Sequence, residues 1–248
     1  MHRMTVAIVV ATAASAGLTA CSVPEKHLVD GAGDPFGCLG AALRSMASNP
    51  ITIDGSLIDP FIPLPVAGAS VEGFLVGTTA SIFTVTSDAA GVFSRMQGSG
   101  GVPRSVFLRA SPNGYLPSYF FPAVPVSDHT TAAIQMLTAT ELATIASVAE
   151  TGDLDPAKAN LFVSVIDCNG NAVAGATVAT TPPGTVRYFA NKSPSPTSIT
   201  TDAVTGSALI ANIPISHTTI SATVNGMTLR SNAFDGVAGA LMQAEIQP

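Results

Sequence analysis

A seven-residue stretch occurs twice in this chain, and the repetition constrains the fold more than any other feature. Residues 65–71 read Pro65-Val66-Ala67-Gly68-Ala69-Ser70-Val71, and residues 172–178 read Ala172-Val173-Ala174-Gly175-Ala176-Thr177-Val178. Five of the seven positions are identical, and Gly175 stands 107 positions after Gly68. The sequence downstream of each copy also matches. Thr86-Ser87-Asp88 corresponds to Thr200-Thr201-Asp202, Gly91 to Gly206, and Asn113-Gly114 to Asn225-Gly226. Self-similarity over such a distance means one structural unit built twice. Within each unit, short β-prone runs such as Ser81–Thr86, Ser105–Ala110, Leu161–Ile166, Val186–Phe189 and Thr219–Val224 alternate with Gly, Pro, Asn and Asp turns. That spacing predicts an all-β fold of two tandem antiparallel β-sandwiches, over 51–128 and 160–248. The strands on either side of the repeat are read as Val66–Leu75 and Ala172–Ala179. The second copy carries one extra residue between its Asp and Gly, which leaves its turn geometry open.

The flanking segments carry a different signal. Met1-His2-Arg3-Met4 is a short positive start, Thr5 to Leu18 is uncharged and apolar, and Leu18-Thr19-Ala20-Cys21 ends the stretch. This is the pattern of a secretory signal over residues 1–20. The Leu-Thr-Ala-Cys ending resembles the bacterial lipobox, which implies cleavage before Cys21 and lipidation of that residue. An ordinary cleavable signal with an incidental Cys, or a retained N-terminal helix, are the alternatives. The resemblance implies attachment to the cell envelope through lipid, and Ser22, where an Asp would signal inner-membrane retention, favours the outer membrane. Residues 21–50 read as a tether, with Leu39, Leu43 and Met46 at the spacing of a short helix over 39–47. Residues 129–159 read as a linker. Within it Thr138-Ala139-Thr140-Glu141 forms a capping box that starts a helix through Leu142, Ile145 and Ala149, and Gly152 stops it.

The chain has three cysteines. If Cys21 carries lipid, Cys38 and Cys168 remain, and in an exported protein they are read as a disulfide, with two separate buried thiols as the alternative. The net charge of −6 and the lack of a Lys/Arg cluster weigh against nucleic acid as a partner.

The order Gly68-Ala69-Ser70-Val71 then Ser87-Asp88-Ala89-Ala90-Gly91, with Gly175-Ala176-Thr177-Val178 then Thr201-Asp202, resembles carboxypeptidase regulatory-like domains. Those are β-sandwiches of the transthyretin-like type. The resemblance implies that fold twice over and implies no catalytic residues.

The chemistry-bearing residues point the same way. His27, His129 and His217 each stand alone, so neither a metal nor another cofactor is expected. Intradiol dioxygenases have a related sandwich and hold iron through two Tyr and two His, a pattern that Tyr115, Tyr119 and Tyr188 do not supply. No Gly-x-Ser-x-Gly elbow is present. One aromatic cluster, Tyr115-Leu116-Pro117-Ser118-Tyr119-Phe120-Phe121-Pro122, has two readings. Tyr115, Tyr119 and Phe120 form an exposed platform for a glycan or an envelope protein, or they fill the core. The sequence points to a non-enzymatic, lipid-anchored envelope protein for binding, adhesion or spacing, or to a carbohydrate-binding accessory protein.

Overall fold

The structure, a computed structural model, describes residues 33–248. The signal, Cys21 and the first part of the tether lie outside the described residues. The first unit contains β1 (Ile51–Asp59), β2 (Leu64–Pro65), β3 (Ser70–Leu75), β4 (Ser81–Thr86), β5 (Val92–Gln97), β6 (Val106–Ala110), β7 (Ser118–Phe121) and β8 (His129–Gln135). Helix α1 (Ala139–Val148) follows. The second unit contains β9 (Ala159–Val165), β10 (Thr177–Thr181), β11 (Thr185–Ala190), β12 (Ser193–Ser195) and β13 (Ser207–Ile213). It continues with β14 (His217–Val224), β15 (Met227–Thr228), β16 (Asn232–Asp235) and β17 (Leu241–Ile246). The fold is all-β and sandwich-like, but its sheets are mixed and not purely antiparallel, since β8 and β17 each pair in parallel. Apolar and polar residues alternate as half-buried strands require: β1 buries Ile51, Ile53, Leu57 and Asp59 while Thr52, Asp54 and Ser56 are only partly buried.

The repeated stretch is a corner in both copies, not the start of a strand, so β3 and β10 begin later than the sequence suggests. Gly68 and Gly175 take φ of +70° and +76°, which lets the chain cross from one sheet to the other. A buried hydroxyl then locks each corner. Ser87 Oγ donates to Val66 O at 2.8 Å and accepts from Ala69 N–H at 3.0 Å. Ser87 N–H donates to Ala69 O, and Gly68 N–H to Ser87 O, both at 3.0 Å. Thr201 makes the same four bonds. Its Oγ1 donates to Val173 O at 2.6 Å and accepts from Ala176 N–H at 3.0 Å, and its backbone pairs with Ala176 O and Gly175 N–H.

The glycine of each Asp turn packs against the corner. A Cβ on Gly91 would fall 2.6 Å from Leu57 O, and one on Gly206 would fall 2.5 Å from Val165 O. These contacts explain why Val-Ala-Gly-Ala, Ser/Thr-Asp and the later Gly recur together. The extra residue in the second copy is absorbed by the turn alone, since Gly91 N–H closes on Asp88 O and Gly206 N–H closes on Asp202 O.

The equivalence extends further than the sequence indicates. In the first unit β1 pairs antiparallel with β5 and parallel with β8; in the second, β9 pairs antiparallel with β13 and parallel with β17. The stretch 129–135, expected as linker, is therefore the counterpart of β17 and an integral strand. The copies differ at β4 and β11. Strand β4 pairs with β3, whereas β11 joins β13 in the opposite sheet. Pro182 and Pro183 supply no N–H to continue the β10 ladder. Gly184 then passes so close to Ala211 O that a Cβ would lie 2.7 Å away.

The two units are fused through a shared sheet. Strand β17 pairs parallel with β9 on one side and with β7 on the other, giving the order β12-β11-β13-β9-β17-β7-β6-β3-β4. Because strand side chains alternate, this sheet feeds one core on each face. On β7, Phe120 belongs to the first unit's core and its neighbour Phe121 to the second's. On β17, Leu241 packs under α1 while Met242 lies in the second core. The second layers of the two sandwiches thus sit on opposite faces of the common sheet. Phe121 also stacks on Phe107 at 5.3 Å and meets Phe234 at 5.2 Å.

The N-terminal segment crosses both units. Cys38 and Cys168 form a disulfide with Cα atoms 5.7 Å apart. Cys168 N–H donates to Pro35 O, Arg230 Nη2 to Ala41 O, and Ala47 N–H to Gly101 O. The helix expected over 39–47 is absent. Its spacing residues Leu39, Leu43 and Met46 are exposed, so no apolar face is buried to stabilise one. We predict that Thr201→Val lowers the unfolding free energy by about 1–3 kcal/mol, by leaving Val173 O and Ala176 N–H without partners inside the protein. Ser87→Ala should cost a similar amount, and denaturant titration of both variants measures it.

Candidate inter-module cleft

Opposite-face packing leaves a step where the first unit's outer sheet ends and the α1-covered face of the second unit begins. Helix α1 packs beside this step. Its capping box is present: Thr138 N–H donates to Glu141 Oε2 at 2.7 Å, and Thr138 Oγ1 accepts from Glu141 N–H at 3.2 Å. The other end is held by Arg187 on β11, whose guanidinium donates to Ala149 O and Glu150 O at 2.8 and 2.9 Å. These bonds satisfy carbonyls that the helix leaves open and fix it to the second unit. Leu142 and Ile145 close over Phe162, Leu209 and Leu241.

Between α1 and the first unit lies a cleft of about 750 Å³. Its floor includes Phe120, Phe162 and Gln243, and its walls include Ala133, Phe61 and Val148. Phe61 is 45% exposed and Val148 52% exposed, so the two rims are apolar and open. Asn191, next to rim residues Lys192 and Pro194, donates its N–H to Asp202 Oδ2 at 2.7 Å. A volume of this size with an apolar floor and a few polar groups, at an interface between units, suits a bound ligand.

Gln243 is the polar centre of the floor. It is buried, and its amide grips the backbone of β8: Oε1 accepts from Gln135 N–H at 2.9 Å and Nε2 donates to Gln135 O at 2.8 Å. One side chain of the second unit thereby pairs with a strand of the first as another peptide group would. A Gln within the otherwise apolar run Leu241–Ala244 is the sequence signal for it, because a buried amide needs partners. Phe61 and Val148 gave no such signal, since exposed apolar residues are common on any surface.

The residues singled out in the sequence lie in different places. Tyr119 and Phe120 are adjacent on β7 and point to opposite faces, Tyr119 toward Phe107 and Phe120 into the first core. Tyr115 packs on that same core, and its hydroxyl donates to Asp59 Oδ2 at 3.2 Å. The three rings do not share a face, so they cannot form one stacking platform. Burial first, then the bond to Asp59, raises the Tyr115 pKa. Tyr188 reaches across the second core to accept from Val178 N–H at 2.9 Å. Among the described residues there is no group of three or more His, Cys, Asp or Glu placed to hold a metal. Asp167 accepts from the backbone N–H groups of Asn169 and Asn171, both at 2.8 Å.

No family model matches the sequence, and no curated relative matches it. Solved structures with some likeness include the shaft pilin SpaA from Lactobacillus rhamnosus GG, at 10% identity and a TM-score of 0.28, covering 80% of this chain and 98% of that one. The Bacillus anthracis TIE protein aligns at 10% identity and a TM-score of 0.29, over 80% of this chain and 34% of its own. 3-Chlorocatechol 1,2-dioxygenase from Rhodococcus opacus 1CP aligns at 10% identity and a TM-score of 0.27, over 38% of this chain and 62% of the enzyme. At these scores none of the likenesses bears on what this chain binds or does.

The rim at Asn191–Pro194 depends on Asp202. Burial alone would raise that carboxyl's pKa, but bonds from Thr205 N–H and Oγ1 and from the Asn191 and Val204 N–H groups outweigh it and hold the pKa below the ordinary Asp range. Its contribution to stability is therefore full above the ordinary carboxylate pKa and is lost as pH falls through the lowered value. Asp202→Asn should be less stable than the parent at neutral pH, with the difference shrinking as the solution is acidified below about pH 4. Unfolding midpoints measured across that range test the assignment.

Proposed function

We propose that this chain is a lipid-anchored envelope protein whose fused sandwiches hold out the inter-module cleft as a binding site, serving in binding, adhesion or spacing and not in catalysis. The observation that carries this reading is the Cys38–Cys168 disulfide. A disulfide of this kind belongs to an oxidising compartment, where a chain with a lipobox would reside. It also joins the tether, seventeen residues past Cys21, directly to the second unit. Any pull on the lipid would pass into the central sheet through a covalent bond and not through the first unit's fold.

The non-catalytic part of the reading is supported by how the acidic turns are used. Asp59, Asp88, Asp155, Asp167 and Asp202 each accept a backbone N–H two or three residues onward, so these carboxylates hold turns. The separation of Tyr119 from Phe120 on opposite faces removes the support for a glycan platform built from those rings.

In a bacterial host fed labelled palmitate, the parent chain should take up label and sediment with membranes. Cys21→Ser should do neither, and globomycin should leave the parent at its precursor mass. Equal labelling of parent and Cys21→Ser, or release of unlabelled parent into the medium, would contradict the anchor.

A further inference from the structure

We infer that the inter-module cleft takes an extended polypeptide, which adds as a strand to the free edge of β8. The inference rests on reading the cleft as a binding site and specifies what enters it. Among the described residues, β8 pairs with β1 alone, in parallel. Met136 N–H donates to Ile58 O, and Thr52 N–H donates to Asp128 O. Even-numbered residues of this strand therefore turn their backbone groups toward β1, so the odd-numbered ones turn theirs away.

Gln135 shows where that second row points, because its N–H and C=O both meet the Gln243 amide in the cleft floor. Thr131 and Ala133 precede it in the same row. Among the described residues no hydrogen bond reaches their backbone N–H or C=O on the edge away from β1. Ala133 is exposed and lines the cleft.

An unpaired strand edge is a template for another strand. The Gln243 amide already occupies one position on this edge, offering a donor and an acceptor together as a peptide unit does. A strand laid beside Thr131 and Ala133 would continue that pairing. Its side chains would alternate between the apolar floor at Phe120 and Phe162 and the rims at Phe61 and Val148. An oligosaccharide has no such alternating row of amide donors and acceptors. The edge thus favours peptide, with side-chain preference set by the apolar floor.

The experiment uses the purified full chain and a phage library of linear random peptides. Enriched peptides are remade by synthesis, and their affinities are measured by fluorescence polarisation. Methylating alternate backbone nitrogens of a bound peptide should weaken it by about tenfold or more in one register and little in the other. In the protein, Ala133→Pro removes an N–H that the fold does not use and should weaken binding similarly. Exchange of the Thr131 and Ala133 amides should slow when peptide saturates the chain.

Val148→Arg places a charge on the rim and separates the two levels of the claim. Peptides that bind and are weakened by Val148→Arg, yet ignore N-methylation, would overturn strand addition and keep the cleft as a site. Peptides insensitive to both changes would overturn both levels. A library that yields no binder overturns strand addition. In that case a chitin oligomer, displaced by Val148→Arg, would leave the cleft reading standing, and no binding by the oligomer would end it as well.

Discussion

The rest of this structure depends on a short parallel seam. Leu241–Ala244 of β17 lie beside Ser118–Phe121 of β7, and on the other side the same strand pairs with β9. Without the β7 contact the chain would be two beads on a linker. With it, each unit lends the other a sheet edge, and neither edge remains open to solvent. The seam also dictates that adjacent residues serve different cores, which is why Phe120 and Phe121 cannot be exchanged for one another in their roles. The Asn232 amide, which donates to Pro122 O and Glu245 O, joins the same two units, while the disulfide and the Arg230–Ala41 bond fasten the N-terminal segment to the second.

Much of the fold was legible because local chemistry specified it. The Val-Ala-Gly-Ala corners, the Ser87 and Thr201 hydroxyls and the close-packed Gly91 and Gly206 interact within each copy, so selection for one geometry left one signature twice. The capping box of α1 was readable for the same reason, since Thr138 and Glu141 bond each other. What could not be read was set by partners distant in sequence. His129–Gln135 looks like linker because its pattern is short and polar, and only β1 makes it a strand. The exposed Leu39, Leu43 and Met46 have helical spacing, but no surface lies opposite them to bury it. The aromatic run Tyr115–Phe121 read as one patch because adjacency in sequence conceals the alternation that a strand imposes.

The candidate site was the least legible part. It belongs to neither copy and exists only because the second layers of the sandwiches fall on opposite sides of one sheet. The sole sequence trace is Gln243, a buried amide among apolar neighbours. Its geometry explains both that residue and the cleft: the amide closes the end of the β8 edge nearest β7, and Ala133 beside it lines the open step. Stability and the candidate cleft therefore draw on the same strand, β17, which lines the cleft through Gln243 while Met242 fills the second core.

The central claim is that the two copies unfold as one body. Denaturant-dependent hydrogen exchange on the disulfide-intact chain tests it most directly, following backbone amides of Ile53 and Leu108 in the first core and of Val163 and Ile210 in the second. The seam predicts that all four merge into one opening reaction with a common free energy and a common denaturant dependence. Two separate openings, with the first core exchanging while the second stays protected or the reverse, would contradict it.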